Sequence, residues 1–293
     1  MLGVSTDTVF SGSIVGRFIM SFAAKGTTFK ALHRSDKAFI IPNPYDAGTA
    51  KLLEIAGFKA LATTSAGYAF AAGRPDNNIG RQEMIDHAAI IVEATNLPVS
   101  ADLENGFFDA PKEVMKTIQM AADIGLVGGS IEDSTNDGRT NAQYDVGFAK
   151  ERVAAAARAA GDADFPFTLT ARAENFLVGN PDIADTIKRL QAYQEAGADV
   201  LFAPGLTSVE DIRSVVSSID VPLNVVMGLS GVQLSQKDLS ELGVKRISTG
   251  SSLSRAALGA FMRAAREMTE QGTFSYAEDA LPFFEINRAF GGD

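Results

Sequence analysis

From Lys37 onward, short apolar runs alternate with amphipathic stretches of helical period. The runs Ala38–Ile41, Lys59–Ala62, Val99–Leu103, Leu126–Ile131, Phe167–Ala171, Val200–Ala203, Leu223–Val226 and Val244–Ile247 predict strands. Helices are predicted between them. The first is capped by Asp46 and runs through Ile55 to a stop at Gly57. Arg81–Thr95, Pro111–Ile124, Tyr144–Ala160, Ile183–Ala196, Ser208–Ser217, Lys237–Leu242 and Ser251–Gln271 follow. A turn from Thr63 to Gly67 opens a long loop that reaches Gly80. Strands that alternate with helices argue for parallel sheet. Eight such units within about 230 residues fit a closed (β/α)8 barrel of the TIM type, with an open doubly wound sheet as the alternative. No composition shift marks an internal boundary, so residues 20–293 read as one barrel domain with a helical tail. Residues 1–19 read as an extension, disordered or packed on a partner subunit, with Met20 a natural start.

In a strand, residues two apart share a face. Along the third predicted strand this sets Ser100, Asp102 and Glu104 against Val99, Ala101 and Leu103. The fourth presents Gly128, Ser130 and Glu132 together, and the fifth Thr168, Thr170 and Arg172. Three consecutive strands thus show one small or polar face that ends in charge. A barrel interior filled for stability carries Val, Ile and Leu, and barrel chemistry sits at the carboxyl ends of the strands. Two acids about 7 Å apart on one strand repel unless a cation lies between them. Asn224, on the seventh strand, is expected at the same mouth. The Thr63–Gly67 turn offers hydroxyls and backbone N–H groups to an anion. Arg172 suits bidentate capture of a carboxylate or phosphonate; its plainer reading is a salt bridge to one of the acids.

Composition narrows the chemistry. The chain has 293 residues, no cysteine, two histidines and a formal net charge of −10. Disulfides, thiolate zinc and a cysteine nucleophile are excluded. His33 and His87 are too few for a histidine zinc site or a Ser-His-Asp triad. Oxygen donors without nitrogen or sulfur point to a hard cation, Mg²⁺ or Mn²⁺. The negative charge disfavours nucleic acid and anionic membrane as partners. No apolar run reaches the roughly 18 residues of a membrane span, and no secretory signal is clear, so the cytoplasm is the expected location. Tyr276, Phe283, Phe284, Ile286 and Phe290 put much apolar surface into the tail, which calls for another subunit or for packing across the barrel's own helices.

At this point the residues resemble the isocitrate lyase and phosphoenolpyruvate mutase superfamily. The likeness runs from about Phe29 to Phe290. It rests on Asn43-Pro44-Tyr45-Asp46-Ala47, Thr64-Ser65-Ala66-Gly67, Pro75-Asp76, Asp102-Leu103-Glu104-Asn105-Gly106, Ile131-Glu132-Asp133, Ala171-Arg172 and Pro222-Leu223-Asn224-Val225, in that order. The resemblance implies a barrel, homodimers or homotetramers that exchange their last helices, and Mg²⁺ bound with a 2-oxo acid. By position it implies Asp102 as the direct metal ligand, with Asp76, Glu104 and Glu132 holding the metal's waters. Thr64, Ser65, Ala66, Gly67 and Arg172 look like the grip on the pyruvyl carboxylate and oxygen. Glu104 stands where the family more often has Asp.

The lid departs from the best-known branches. Isocitrate and methylisocitrate lyases carry Lys-Lys-Cys-Gly-His after the fourth strand, where this chain has Asp133-Ser134-Thr135-Asn136-Asp137-Gly138-Arg139. Phosphonomutases usually show Lys-x-Asn-Ser, of which only Asn136 is present. Thr135 and Asn136 are the lid residues in position to contact a phosphonate, and join Arg172 and Glu132 as the expected catalytic set. The function so implied is a Mg²⁺-dependent lyase or decarboxylase that cleaves a C–C bond of a small 2-oxo or 2-hydroxy dicarboxylate through an enolpyruvate intermediate. C–P chemistry on phosphonopyruvate is the second hypothesis, and a catalytically silent 2-oxo acid binding protein the third.

Overall fold

The computed structural model describes residues 20–135, 142–229 and 234–291. In chain order its elements are α1 (Phe22–Leu32), β1 (Phe39–Ile41), α2 (Ala47–Ile55), β2 (Leu61–Ala62), α3 (Ser65–Ala71), α4 (Arg81–Ala94), β3 (Val99–Asp102) and α5 (Pro111–Asp123). There follow β4 (Gly128–Glu132), α6 (Val146–Gly161), β5 (Thr168–Arg172), α7 (Ile183–Glu195), β6 (Val200–Phe202), α8 (Val209–Val216), β7 (Leu223–Val226), α9 (Gln236–Glu241) and β8 (Arg246–Ser248). The chain ends in α10 (Ser252–Glu270), a 3₁₀ turn (Ser275–Asp279) and α11 (Phe283–Gly291). All strand pairs are parallel, in the order β1-β8-β7-β6-β5-β4-β3-β2. At the β1–β2 seam the Ala62 N–H donates to the Pro42 carbonyl at 3.1 Å. This is the TIM-type barrel, and the doubly wound alternative falls away. Register aligns Asp102 with Ser130 and Thr170, and Glu132 with Arg172, so neighbouring strands bring their polar residues to common levels.

Two elements were absent from the sequence reading. Helix α1 precedes the barrel, started by the Ser21 hydroxyl, which accepts from the Ala24 N–H at 3.2 Å. Its Phe29 is fully buried among Phe39, Ile41, Ala60, Ala62 and Val127 and plugs the amino end of the barrel. The fit leaves no room at Gly128, where a Cβ would stand 2.9 Å from the Phe29 ring and 2.8 Å from the Thr168 carbonyl. His33 stacks edge-on to Phe29 and Phe39, and its Nδ1–H donates to the Phe29 carbonyl at 2.9 Å. Burial, helped by Arg246, lowers its pKa to about 3, so the ring is neutral. The second element is α3, which replaces the expected turn and loop. Its cap is the Thr64 hydroxyl, which accepts from the Gly67 N–H at 3.1 Å. A short, Gly-containing apolar run gives too little periodicity to announce such a helix.

The tail leaves the barrel. Of the residues in α10 only Ser254 is buried, while Leu258, Phe261, Met262 and Met268 are exposed. Helix α11 touches α2 through Phe290, beside Gly48, yet Phe283 is 85% exposed and Phe284 65%. Among the described residues no helix is long and apolar enough to cross a membrane.

Candidate active site

A cavity of about 320 Å³ opens at the carboxyl ends of the strands. One wall, from β2 to β5, is polar: Thr63, Ser65, Asp76, Asp102, Glu132, Arg172 and Glu174 line it. The other, from Leu177, Val178, Phe202, Pro204, Val226 and Leu229, is apolar. Asp102 ends β3 and is fixed on every side. Its N–H donates to the Thr63 hydroxyl at 3.0 Å, and its Oδ2 accepts from the Ser65 N–H at 3.2 Å and the Ser65 hydroxyl at 2.8 Å. Its Oδ1 faces Arg172 Nη1 at 3.1 Å.

Arg172 is shared among three carboxylates. Beyond Asp102 it reaches Glu132 Oε2 at 3.2 Å and Glu174 Oε1 at 2.8 Å, with its guanidinium 5.0 Å over the Phe202 ring. The salt-bridge reading of this residue is met at two of the acids it named, Asp102 and Glu132, while Glu174 is a site residue that the sequence reading passed by. Burial works against the Arg172 charge, but Glu174, Glu132 and Asp102 outweigh it and raise its pKa. Glu132 is raised well above the usual carboxylate range, by burial first and then by Glu174, Asp102 and Glu104, against the pull of Arg172.

Glu104 reaches the site by another route than alternation. The β3 ladder stops at Asp102, and Glu104 takes a left-handed backbone, φ 49°. A residue other than glycine held there is uncommon and marks a constrained position. Arg152, on α6, fixes this loop: it donates to the carbonyls of Asn105, Phe108 and Asp109, with the Phe108 contact at 2.8 Å, and lies 4.2 Å over the Tyr144 ring. The Glu104 side chain is buried behind the cavity wall and its Oε1 has no partner. Burial, then Asp102 and Asp76, raise its pKa to about 8. Asp76 lies on the exposed loop after α3, lines the cavity and is also raised, by burial and then by Asp102.

Other expected residues fall differently. Asn224 faces the interior but lies below the mouth. It is fully buried, donates to the Ser248 hydroxyl at 3.0 Å and leaves its Oδ1 unpartnered, while Val226, two residues on, lines the cavity. Alternation gives the face of Asn224 and not its depth, since it stands two residues before the end of β7. Gly67 is buried in the first turn of α3, whereas Ser65 and Ala66 line the cavity. Thr64 lines it too, with its hydroxyl given to the α3 cap. Thr135 turns away: its N–H and hydroxyl both go to the Ala142 carbonyl, at 2.7 and 3.2 Å. Ser134, paired to Gln143 in an antiparallel bridge, lines the cavity in its place. Asn136 lies outside the described residues. Asp133 is an anchor, accepting from Glu174 N–H, Gln143, Arg189 and Tyr193. His87 is structural, stacked 3.7 Å from Tyr68 and bonded through Nε2 to the Tyr45 carbonyl. Two further residues were given no individual role by the sequence. Asn43 ties the ends of β1, β2 and β8 together through the Thr63 carbonyl and the Thr249 and Gly250 N–H groups. Arg246, on β8, reaches into the cavity from below.

The donor set fits a hard divalent cation. All the donors are carboxylates or hydroxyls, Glu104 Oε1 is a buried oxygen without a partner, and the Asp102 charge lies close enough to raise the pKa of both Asp76 and Glu104. Among the described residues no three acidic or imidazole side chains close into a cage. A cation here would be held by one or two carboxylates plus water and substrate, the habit of Mg²⁺.

Fold and site together define a barrel enzyme of carboxylate chemistry. Residues 29–269 match the phosphoenolpyruvate phosphomutase family, and the chain belongs to it, within the isocitrate lyase/phosphoenolpyruvate mutase superfamily of lyases and mutases. A Burkholderia cenocepacia J2315 protein, proposed to be a lyase or mutase, is 57% identical in its crystal structure, with a TM-score of 0.90 over 92% of this chain and 97% of that one. The 2,3-dimethylmalate lyase of Eubacterium barkeri is 30% identical over 233 residues, 76% of this chain and 78% of the relative. Phosphonopyruvate hydrolase, solved with oxalate and Mg²⁺, is 26% identical with a TM-score of 0.81, over 91% of this chain and 95% of that one.

Proposed function

We propose that the protein is a Mg²⁺- or Mn²⁺-dependent lyase that cleaves a C–C bond of a small 2-oxo or 2-hydroxy dicarboxylate through an enolpyruvate intermediate. The observation that carries the reading is the meeting of Asp76, Asp102 and Glu132 around one cavity beside Arg172, with Glu104 buried just behind its wall. Asp102 helps to raise the pKa of Asp76, Glu104 and Glu132, and acids crowded in this way are stable together when a cation is supplied. Asp102 is the direct ligand in this reading, and Asp76, Glu104 and Glu132 orient its water shell. When bound, the cation supplies Lewis-acid stabilisation of the charge that develops as the bond breaks. The chain's own residues do the rest. Ser65 and Ala66, at the start of α3, and Arg172 position the carboxylate and 2-oxygen. The guanidinium adds fixed positive charge where the enolate oxygen forms. The apolar wall from Phe202 to Val226 excludes water and takes the carbon substituents. No cysteine acid is available in the lid, which suits release of CO₂ or a fragment that needs no protonation by one.

A second reading, C–P chemistry on phosphonopyruvate, is favoured by the family description and by the phosphonopyruvate hydrolase likeness. Oxaloacetate, 2,3-dimethylmalate, methylisocitrate and phosphonopyruvate incubated with Mg²⁺ or EDTA and followed by ¹H and ³¹P NMR separate the two. Mg²⁺-dependent loss of a carbon substrate supports the lyase; turnover of phosphonopyruvate alone moves the chain to the phosphonate branch. The exposed arm of α10 and α11 supports a homodimer or homotetramer in which the arm packs on a second copy.

A further inference from the structure

Two guanidinium groups reach the cavity, and they differ in what they have left to give. Arg172 spends its donors on protein acids: Nε and Nη2 on Glu174, and Nη1 on Asp102 and Glu132. Arg246 has the same five N–H groups and one hydrogen bond, from Nη1 to the Thr170 hydroxyl at 2.9 Å. Its Nε is buried without a partner, and the residue is 5% exposed. Among the described residues no carboxylate stands within ion-pair distance of it. Beneath it lies the Phe29 ring, its centroid 5.9 Å from the guanidinium carbon. Ser100 Oγ, Thr168 Oγ1 and Asn224 Oδ1, on the strands around it, are likewise buried and unpartnered.

A buried cation with unspent donors is costly unless an anion meets it. The apolar plug below offers none, and the cavity above is where one can enter. We propose that Arg246 is a substrate-binding residue, which donates from the cavity floor to a carboxylate of the bound acid and so adds to Arg172, most of whose donors also hold the acidic wall. The assignment rests on the reading of the cavity as a 2-oxo acid site. It gives the site two cations for one small dianion, the chemistry expected for a dicarboxylate or for the planar 2-oxo acid unit alone.

Oxalate is the probe, titrated calorimetrically into the full chain with saturating Mg²⁺. Arg246→Met, shown folded by circular dichroism, is expected to weaken oxalate binding roughly 30-fold or more, the usual loss when one partner of a buried charge pair is removed. Arg246→Lys keeps the charge but not the fork and is expected to lie between the two. If Arg246→Met does not fold, the lysine variant carries the test, with a loss of about fivefold expected and unchanged affinity overturning the assignment. Wild-type binding that Arg246→Met leaves unchanged overturns the role of Arg246 alone. Absence of oxalate binding by the wild type overturns the 2-oxo acid reading as well.

Discussion

The two ends of this barrel bury polar groups in opposite ways. At the amino end, α1 drops Phe29 into the strands and the one titratable ring beside it, His33, is neutral and packed edge-on between two phenylalanines. At the carboxyl end, acids crowd around Arg172, and Glu104 leaves an oxygen buried and unpaired. The base is arranged for stability. The mouth gathers charged groups where packing alone would place apolar ones, the relation expected between a binding site and its scaffold. Arg246 joins the two, with its strand beginning near the base and its head in the cavity.

The comparison breaks most sharply at Arg172, a mouth residue that also supports the fold. Arg172→Met removes the shared partner of two buried carboxylates and one partly buried one, and is expected to cost about 3–5 kcal/mol of stability together with turnover. Denaturant unfolding and initial rates on the same preparation check this; loss of turnover with unchanged stability would show that the acids find other compensation. Phe29→Ala, at the base, is expected to cost about 3–5 kcal/mol with kcat and KM nearly unchanged in the folded fraction. A comparable loss of kcat would mean that the plug shapes the mouth.

The ends also differ in pH dependence, with opposite sign. His33 has a folded pKa near 3 against an ordinary value of 6.5, so the unfolded chain binds the extra proton. Stability from that residue is complete above pH 6.5 and is lost as pH falls toward 3. Glu104 is raised from 4.5 to about 8, so the folded chain holds the extra proton. Its contribution is complete below pH 4.5 and is lost as pH rises toward 8. Melting curves from pH 4 to 8.5 in EDTA are therefore expected to flatten on the acid side in His33→Gln and on the alkaline side in Glu104→Gln. The same slope in wild type and Glu104→Gln would contradict the assignment of a protonated acid behind the mouth.

The smallest effect expected on either end comes from the arm. Phe261→Glu with Phe284→Glu should lower the oligomeric state seen by sedimentation while each barrel stays folded, and elution unchanged from wild type would remove the exchange model.

Much of this was legible in the chain. Alternation along β3, β4 and β5 located the polar interior because parallel barrel strands keep a strict two-residue period. It misread Glu104, whose placement comes from a left-handed turn after the ladder ends. It also misjudged Asn224, since alternation gives the face of a residue and not its depth. The same test carried to the eighth strand exposes Arg246 and Ser248 as inward neighbours, and two residues past Arg172 it reaches Glu174. Helix α1 and helix α3 were hidden for another reason: their order comes from the barrel they pack against or begin from, not from an amphipathic pattern of their own.

The most direct test of the account is the Mg²⁺ dependence of C–C cleavage in wild type and Asp102→Ala, measured on whichever carbon substrate of the panel turns over. Saturable dependence on Mg²⁺, abolished by EDTA and reduced at least about 1,000-fold in an Asp102→Ala variant that melts no lower than wild type, is the predicted result. Full turnover in EDTA, or an Asp102→Ala rate equal to wild type, would contradict it.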